Sequence, residues 1–187
     1  MLPRSLASRA CFVCAVALPA LVSVPAFATT YLSAAQAEQA LFPDATAFVP
    51  KPVALTPEQS RAIASKAQTP LQRAFWKVFA AMSGERVLGY VITDSVIGKF
   101  DLIDYAVGVA PDGTIRGIEI LAYREAHGGE VRTTAWRRQF VGKNANAPLS
   151  IGEDIANISG ATLSCTHLTD GIRRIANYAT LVLAARG

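Results

Sequence analysis

The stretch Ile158-Ser159-Gly160-Ala161-Thr162-Leu163-Ser164 is where residue types and spacing could carry chemistry. Gly160 and Ala161 are small enough to let a bulky ligand approach the backbone. They bring a hydroxyl, Thr162, to the start of a helix-like segment, where free backbone N–H groups and the helix dipole favour a phosphate. Composition alone also allows a plainer turn, with Ser164 as an ordinary N-cap. Next to it, Cys165 would lie in the first helical turn, where a thiol can be activated, and His127 and His167 invite a metal reading. Neither is favoured. Residues two apart on a helix point in different directions, the one C-x-x-C, Cys11 and Cys14, lies in the apolar run of the leader-like segment, no H-x-x-x-H spacing exists, and a lone Cys beside apolar residues is usually filler. No catalytic side chain and no metal is expected.

The elements that must position Thr162 follow from pattern. Leu168, Ile172, Ile175, Ala179 and Val182 recur every three or four residues and predict a final helix from about Ser164 to Ala185. Upstream, segments 75–82, 87–96, 100–109 and 114–123 are rich in Val, Ile, Tyr and Phe and are separated by Ser83-Gly84, Ile97-Gly98 and Pro111-Asp112-Gly113. They predict an antiparallel meander, with the Pro-Asp-Gly hairpin its clearest turn. A short helix is expected around 135–140. Before the strands, 29–74 reads as a helical lead-in, with Ser33 capping a helix through Leu41 and Thr56-Pro57-Glu58-Gln59 opening a second to about Ala67. The expected fold class is α+β, an antiparallel sheet packed with helices.

Residues 1–28 carry Arg4 and Arg9, no acid, an apolar run from Ala10 to Val24 and a small-residue ending at Ala26-Phe27-Ala28. This predicts a secretory signal cleaved after Ala28 and a periplasmic protein, an uncleaved N-terminal membrane anchor being the alternative. The leader holds two of the three cysteines and half of the net charge of +4. Only Cys165 remains, so no internal disulfide is expected. The basic residues form no cluster longer than Arg137-Arg138 and Arg173-Arg174, which argues against nucleic acid; Arg173 and Arg174 lie more than two turns into the predicted last helix, where a surface role is expected.

Ser159-Gly160-Ala161-Thr162 resembles the S/T-G-A-T motif of FMN-binding domains, found in flavin subunits of the sodium-translocating NADH:quinone reductase and of Rnf complexes. Tyr123-Arg124-Glu125-Ala126-His127-Gly128-Gly129-Glu130 is similar to the family's glycine loop, and Trp136-Arg137-Arg138-Gln139-Phe140-Val141-Gly142-Lys143 to its following segment. The resemblance covers 75–187, the expected FMN-binding domain, and is closest to stand-alone secreted members. It implies FMN held through a phosphoester to Thr162, installed by a flavin transferase, in a carrier that exchanges electrons with a membrane or periplasmic redox partner.

The site residues implied are Ser159, Gly160, Ala161, Thr162, Leu163 and Ser164, with Glu125, Gly128 and Gly129 near the flavin. The N–H groups of Leu163 and Ser164, and Lys143, would neutralise the phosphate, and Tyr123 or Trp136 would cover the ring. The plainer alternatives are a core Trp136, a solvated Lys143 and a Glu130 paired with Arg132 or Arg124. One departure matters. The family places an Asp six residues before the modified Thr, and here that position is Ala156, followed by Asn157. The alternative is therefore a non-redox binding module with the same fold that has lost flavinylation.

Overall fold

The computed structural model describes residues 29–71, 76–125 and 127–186; the expected leader, Phe75, Ala126 and Gly187 lie outside the described residues. Two capping boxes open the chain. Ser33 caps helix α1 (Ala34–Leu41) and Thr56 caps helix α2 (Pro57–Ala67), each hydroxyl accepting from the backbone of the residue three on while that Gln side chain returns the bond. Pro57 takes the first helical position, where its missing N–H costs nothing. A left-handed Gln68 ends the second helix.

The described strands are β1 (Thr29–Thr30), β2 (Ala47–Pro50), β3 (Lys77–Ser83), β4 (Arg86–Ile97), β5 (Leu102–Val109) and β6 (Ile115–Tyr123). They form one antiparallel sheet in the order β1-β6-β5-β4-β3-β2. The expected meander is its centre. The lead-in is more than helical: β1 and β2 form the two edges, Ala47 to Pro50 pairing with Met82 to Phe79. Proline is tolerated on such an edge because one side of the strand needs no partner.

Helix α4 (Thr162–Tyr178), continued by a π turn at Ala179–Leu183, covers one face of the sheet. Leu168, Ile172, Ile175, Ala179 and Val182 are all buried against Ile92, Tyr105, Val107 and Ile118. Each large side chain so removed from water contributes about 1.5–3 kcal/mol, which is what seats the helix. Gly171 permits the close approach: a Cβ there would stand 2.2 Å from the Tyr105 hydroxyl, which donates to Asp94. A smaller cluster of Ala37, Phe42, Ala81, Val91 and Ala106 places α1 on the opposite face.

The expected surface role of Arg173 and Arg174 does not hold. Arg174 is buried, and Arg173 donates to the carbonyls of Ala67 and Leu149 and pairs with Asp170 at 2.7 Å, joining α2, α4 and the 141–155 loop. A guanidinium has enough fixed donors to satisfy two carbonyls and a carboxylate at once.

Candidate functional site

Thr162 is the first residue of α4 and is exposed. The N-cap is Ala161, which supplies no side-chain cap, so the expected capping role of Ser164 gives way to a different start: Ser164 lies within the first turn and is buried. Ser159 and Gly160 are exposed. Gly160 adopts φ +80°, and a side chain there would meet open space. The Thr162 hydroxyl oxygen accepts from Asn157 Nδ2 at 2.9 Å, which leaves its own proton free to point elsewhere. Asn157 was not among the expected site residues, and it stands one position after the Ala156 that departs from the family pattern.

The glycine loop packs behind this start. Gly128, at φ +84°, lies where a Cβ would be 2.2 Å from the Ala161 Cβ and 2.7 Å from the Tyr123 hydroxyl. Gly129 opens a short 3-10 turn (Gly129–Arg132) and lies nearest Arg132. Tyr123 is buried, and its hydroxyl donates to the His127 carbonyl, so it backs the loop from the core and presents no face to a ligand. Burial pushes the Tyr123 phenol up, opposed in part by a hydrogen bond with Ser164.

Glu125 reaches across to the turn between β4 and β5. Its Oε1 accepts from the amides of Phe100 at 2.6 Å and Asp101 at 3.0 Å. Burial raises the Glu125 carboxyl, but those amides, the Lys99 amide and the Lys99 charge outweigh it and hold the group below the ordinary glutamate value. A Cβ on Gly98 would lie 2.5 Å from Glu125 Oε1 and 2.8 Å from Ser164 Oγ, so the turn, the end of β6 and the start of α4 meet at van der Waals distance.

On the other side of this turn, His167 Nδ1 lies 2.7 Å from the Ile97 carbonyl and 3.1 Å from that of Gly98. Leu163 sits four residues before His167 and shares its face of the helix. Exposed apolar side chains therefore stand on both elements where the β4–β5 turn meets the first turns of α4: Phe100 is 76% exposed, Ile97 61% and Leu163, next to Thr162 in sequence, 49%. The Lys99 ammonium stands 4.9 Å from the Phe100 ring centre. Ile97 and Phe100 escaped the sequence reading, and His167 was weighed there only as a metal ligand, because the contact between His167 and the β4–β5 turn spans about seventy positions of chain.

Two expected site residues are elsewhere. Trp136 is buried, packs on Phe140 at 5.1 Å and donates its indole N–H to the Ala156 carbonyl at 2.9 Å, which is the core role. Lys143 is neither a phosphate partner nor a freely solvated lysine. Its ammonium pairs with Asp154 at 2.9 Å, and its backbone joins Ile115 at the start of β6, the opposite end of that strand from Tyr123 and Glu125. At about 3.3 Å per residue a nine-residue strand separates them by roughly 25 Å. Arg124 pairs with Asp104, and Arg132 lies over the Tyr31 ring; neither contact involves Glu130. Cys165 is fully buried and its thiol is pushed up by that burial. Among the described residues no three His, Cys, Asp or Glu groups converge as a metal site would require.

Comparison with known proteins shows what this part of the chain is similar to. The model of the FMN-binding domain matches residues 98–177, a span that runs from the β4–β5 turn through the glycine loop to α4. One component of the Na(+)-translocating ferredoxin:NAD(+) oxidoreductase complex of Acetobacterium woodii is 28% identical over 106 residues, covering 51% of each chain. The corresponding component of the proton-translocating ferredoxin:NAD(+) oxidoreductase complex of Clostridium ljungdahlii is 27% identical over 110 residues, covering 54% of this chain and 59% of that one. The chain thus spans little more than half the length of these curated relatives. The crystal structure of Shewanella oneidensis NqrC aligns with a TM-score of 0.41 at 19% identity, over 67% of this chain and 64% of that one. Residues 98–177 thus match the FMN-binding domain, and the match supports FMN as the cofactor.

Proposed function

We propose that the chain is an exported electron-transfer flavoprotein whose FMN is joined through its phosphate to Thr162. The observation that carries this reading is the exposed Thr162 at a helix start without a side-chain cap, followed by the exposed Leu163, with the turn that bears the exposed Ile97 and Phe100 packed against Ser164 and His167 of the same helix. The residues fit the group. A phosphate on Thr162 would face the N–H groups of Leu163 and Ser164 and the positive end of the helix dipole, and Gly160 leaves the approach open. The apolar surface suits one face of a flat ring, and Lys99 replaces Lys143 as the nearby cation. FMN supplies one- and two-electron redox chemistry when bound, while the chain holds it, orients it and shields it on one side. Asn157 positions the Thr162 oxygen.

Both curated relatives are, by name, parts of ion-translocating oxidoreductase complexes, which supports a membrane redox partner. The leader-like 1–28 supports export to the periplasm. Attachment requires a flavin transferase. The test is co-expression with such a transferase in a secreting host, followed by intact-mass analysis. The expected result is one FMN-phosphoryl increment that disappears in Thr162→Ala. Bound FMN without the increment would refute the covalent link alone. A colourless protein would favour the second reading, a binding module without flavin, for which Ala156 is the specific observation.

A further inference from the structure

We infer that His167 is a positioning residue that clamps the β4–β5 turn against the start of α4, so that Ile97 and Phe100 form a fixed wall beside Thr162. The inference rests on the functional reading above for what the wall faces, and on the chain alone for the clamp. Turn 98–101 is held from two sides. Glu125 draws in the amides of Phe100 and Asp101 from the end of β6. His167 takes the opposite polarity, with Nδ1 within hydrogen-bond distance of the Ile97 and Gly98 carbonyls. Two carbonyl oxygens can only accept, so Nδ1 carries the proton and donates to both, in the neutral Nδ1–H tautomer and in the imidazolium alike. The turn closes on itself through the Gly98 amide and the Asp101 carbonyl at 2.8 Å, while its remaining amides and the Ile97 and Gly98 carbonyls are satisfied by different elements, and Gly98 lets them close to contact.

A clamp of this kind has a purpose at an exposed apolar turn. Phe100 and Ile97 gain little from burial, so nothing in their own packing fixes them. Leu163 and His167 share one helix face, and a shift of the turn away from His167 would open the wall from the Leu163 side.

The test compares wild type, His167→Ala and His167→Asn, because an Asn amide nitrogen takes roughly the place of Nδ1 as a donor. In the flavin-free chain, hydrogen exchange at the Phe100 and Asp101 amides should be about three- to tenfold faster in His167→Ala, with Val107 in the sheet unchanged as the folding control. It should return toward wild type in His167→Asn. In the flavin-loaded chain, iodide should quench flavin fluorescence more in His167→Ala than in wild type or His167→Asn. Unchanged exchange in the flavin-free chain would overturn the clamp, and unchanged quenching in the loaded chain would overturn the wall. A wild type that takes up no FMN would overturn the functional reading and the wall with it, while the exchange arm still decides the clamp.

Discussion

Replacing Gly128 by Ala tests whether the glycine loop truly seats the start of α4. Two costs can be separated. Gly128 has φ +84°, where an L side chain is strained by about 1–2 kcal/mol. Its Cβ would also lie 2.2 Å from the Ala161 Cβ and 2.7 Å from the Tyr123 hydroxyl, and relieving such a clash costs about 1–3 kcal/mol of backbone shift. Gly142 supplies the control, with φ +81° and nothing within 4 Å of the added atom, so Gly142→Ala carries the first cost only. For a domain of this size each kcal/mol lowers Tm by about 2–4 °C. Gly128→Ala should therefore melt roughly 2–12 °C below Gly142→Ala, read by circular dichroism at fixed scan rate. Equal shifts for the two variants would refute the contact between loop and helix start, because conformational strain would then account for everything.

The Glu125 carboxyl, held low in the folded chain, contributes stability to turn 98–101 that is fully present above the ordinary glutamate value and is lost as pH falls through the lower folded value. Hydrogen exchange at Phe100 and Asp101, corrected for its intrinsic pH dependence, should show the turn opening on acidification below that ordinary value, and Glu125→Gln should flatten the profile. Cys165, buried with its thiol pushed up, should resist iodoacetamide in the native chain at neutral pH and react within the same incubation in denaturant; rapid native labelling would contradict its burial.

What could be read directly from the sequence was the chemistry that completes itself over a few positions. Ser33 with Gln36 and Thr56 with Gln59 are capping boxes three residues wide, and Pro111-Asp112-Gly113 closes its own hairpin. The apolar stripe of α4 was equally legible, since period and burial coincide along one element. The edge strand at 47–50 was not, because its pairing partner lies beyond a whole helix and its own residues carry proline breakers. The site divides along the same line. Thr162 and Gly128 were recognised from local motifs, and the fold brings their segments together. Lys143 was misplaced because a lysine's partner depends on which end of the sheet its loop returns to, and Asp154 meets it there. Ser164 offered itself as a cap because Ser has the preferred side chain; Ala161 takes that place because the helix cap lies three residues earlier.

Gly171 lies nine positions along α4 from Thr162, about 13 Å at the helical rise. It works as a fulcrum. The hydrogen it carries in place of a methyl sets the stand-off between helix and sheet, since anything larger would drive into the Tyr105 hydroxyl and its bond to Asp94. A tilt introduced at that pivot is magnified at the far tip, so the placement of the Thr162 oxygen is machined deep in the core, and the exposed motif inherits its tolerance from a residue no ligand would ever touch.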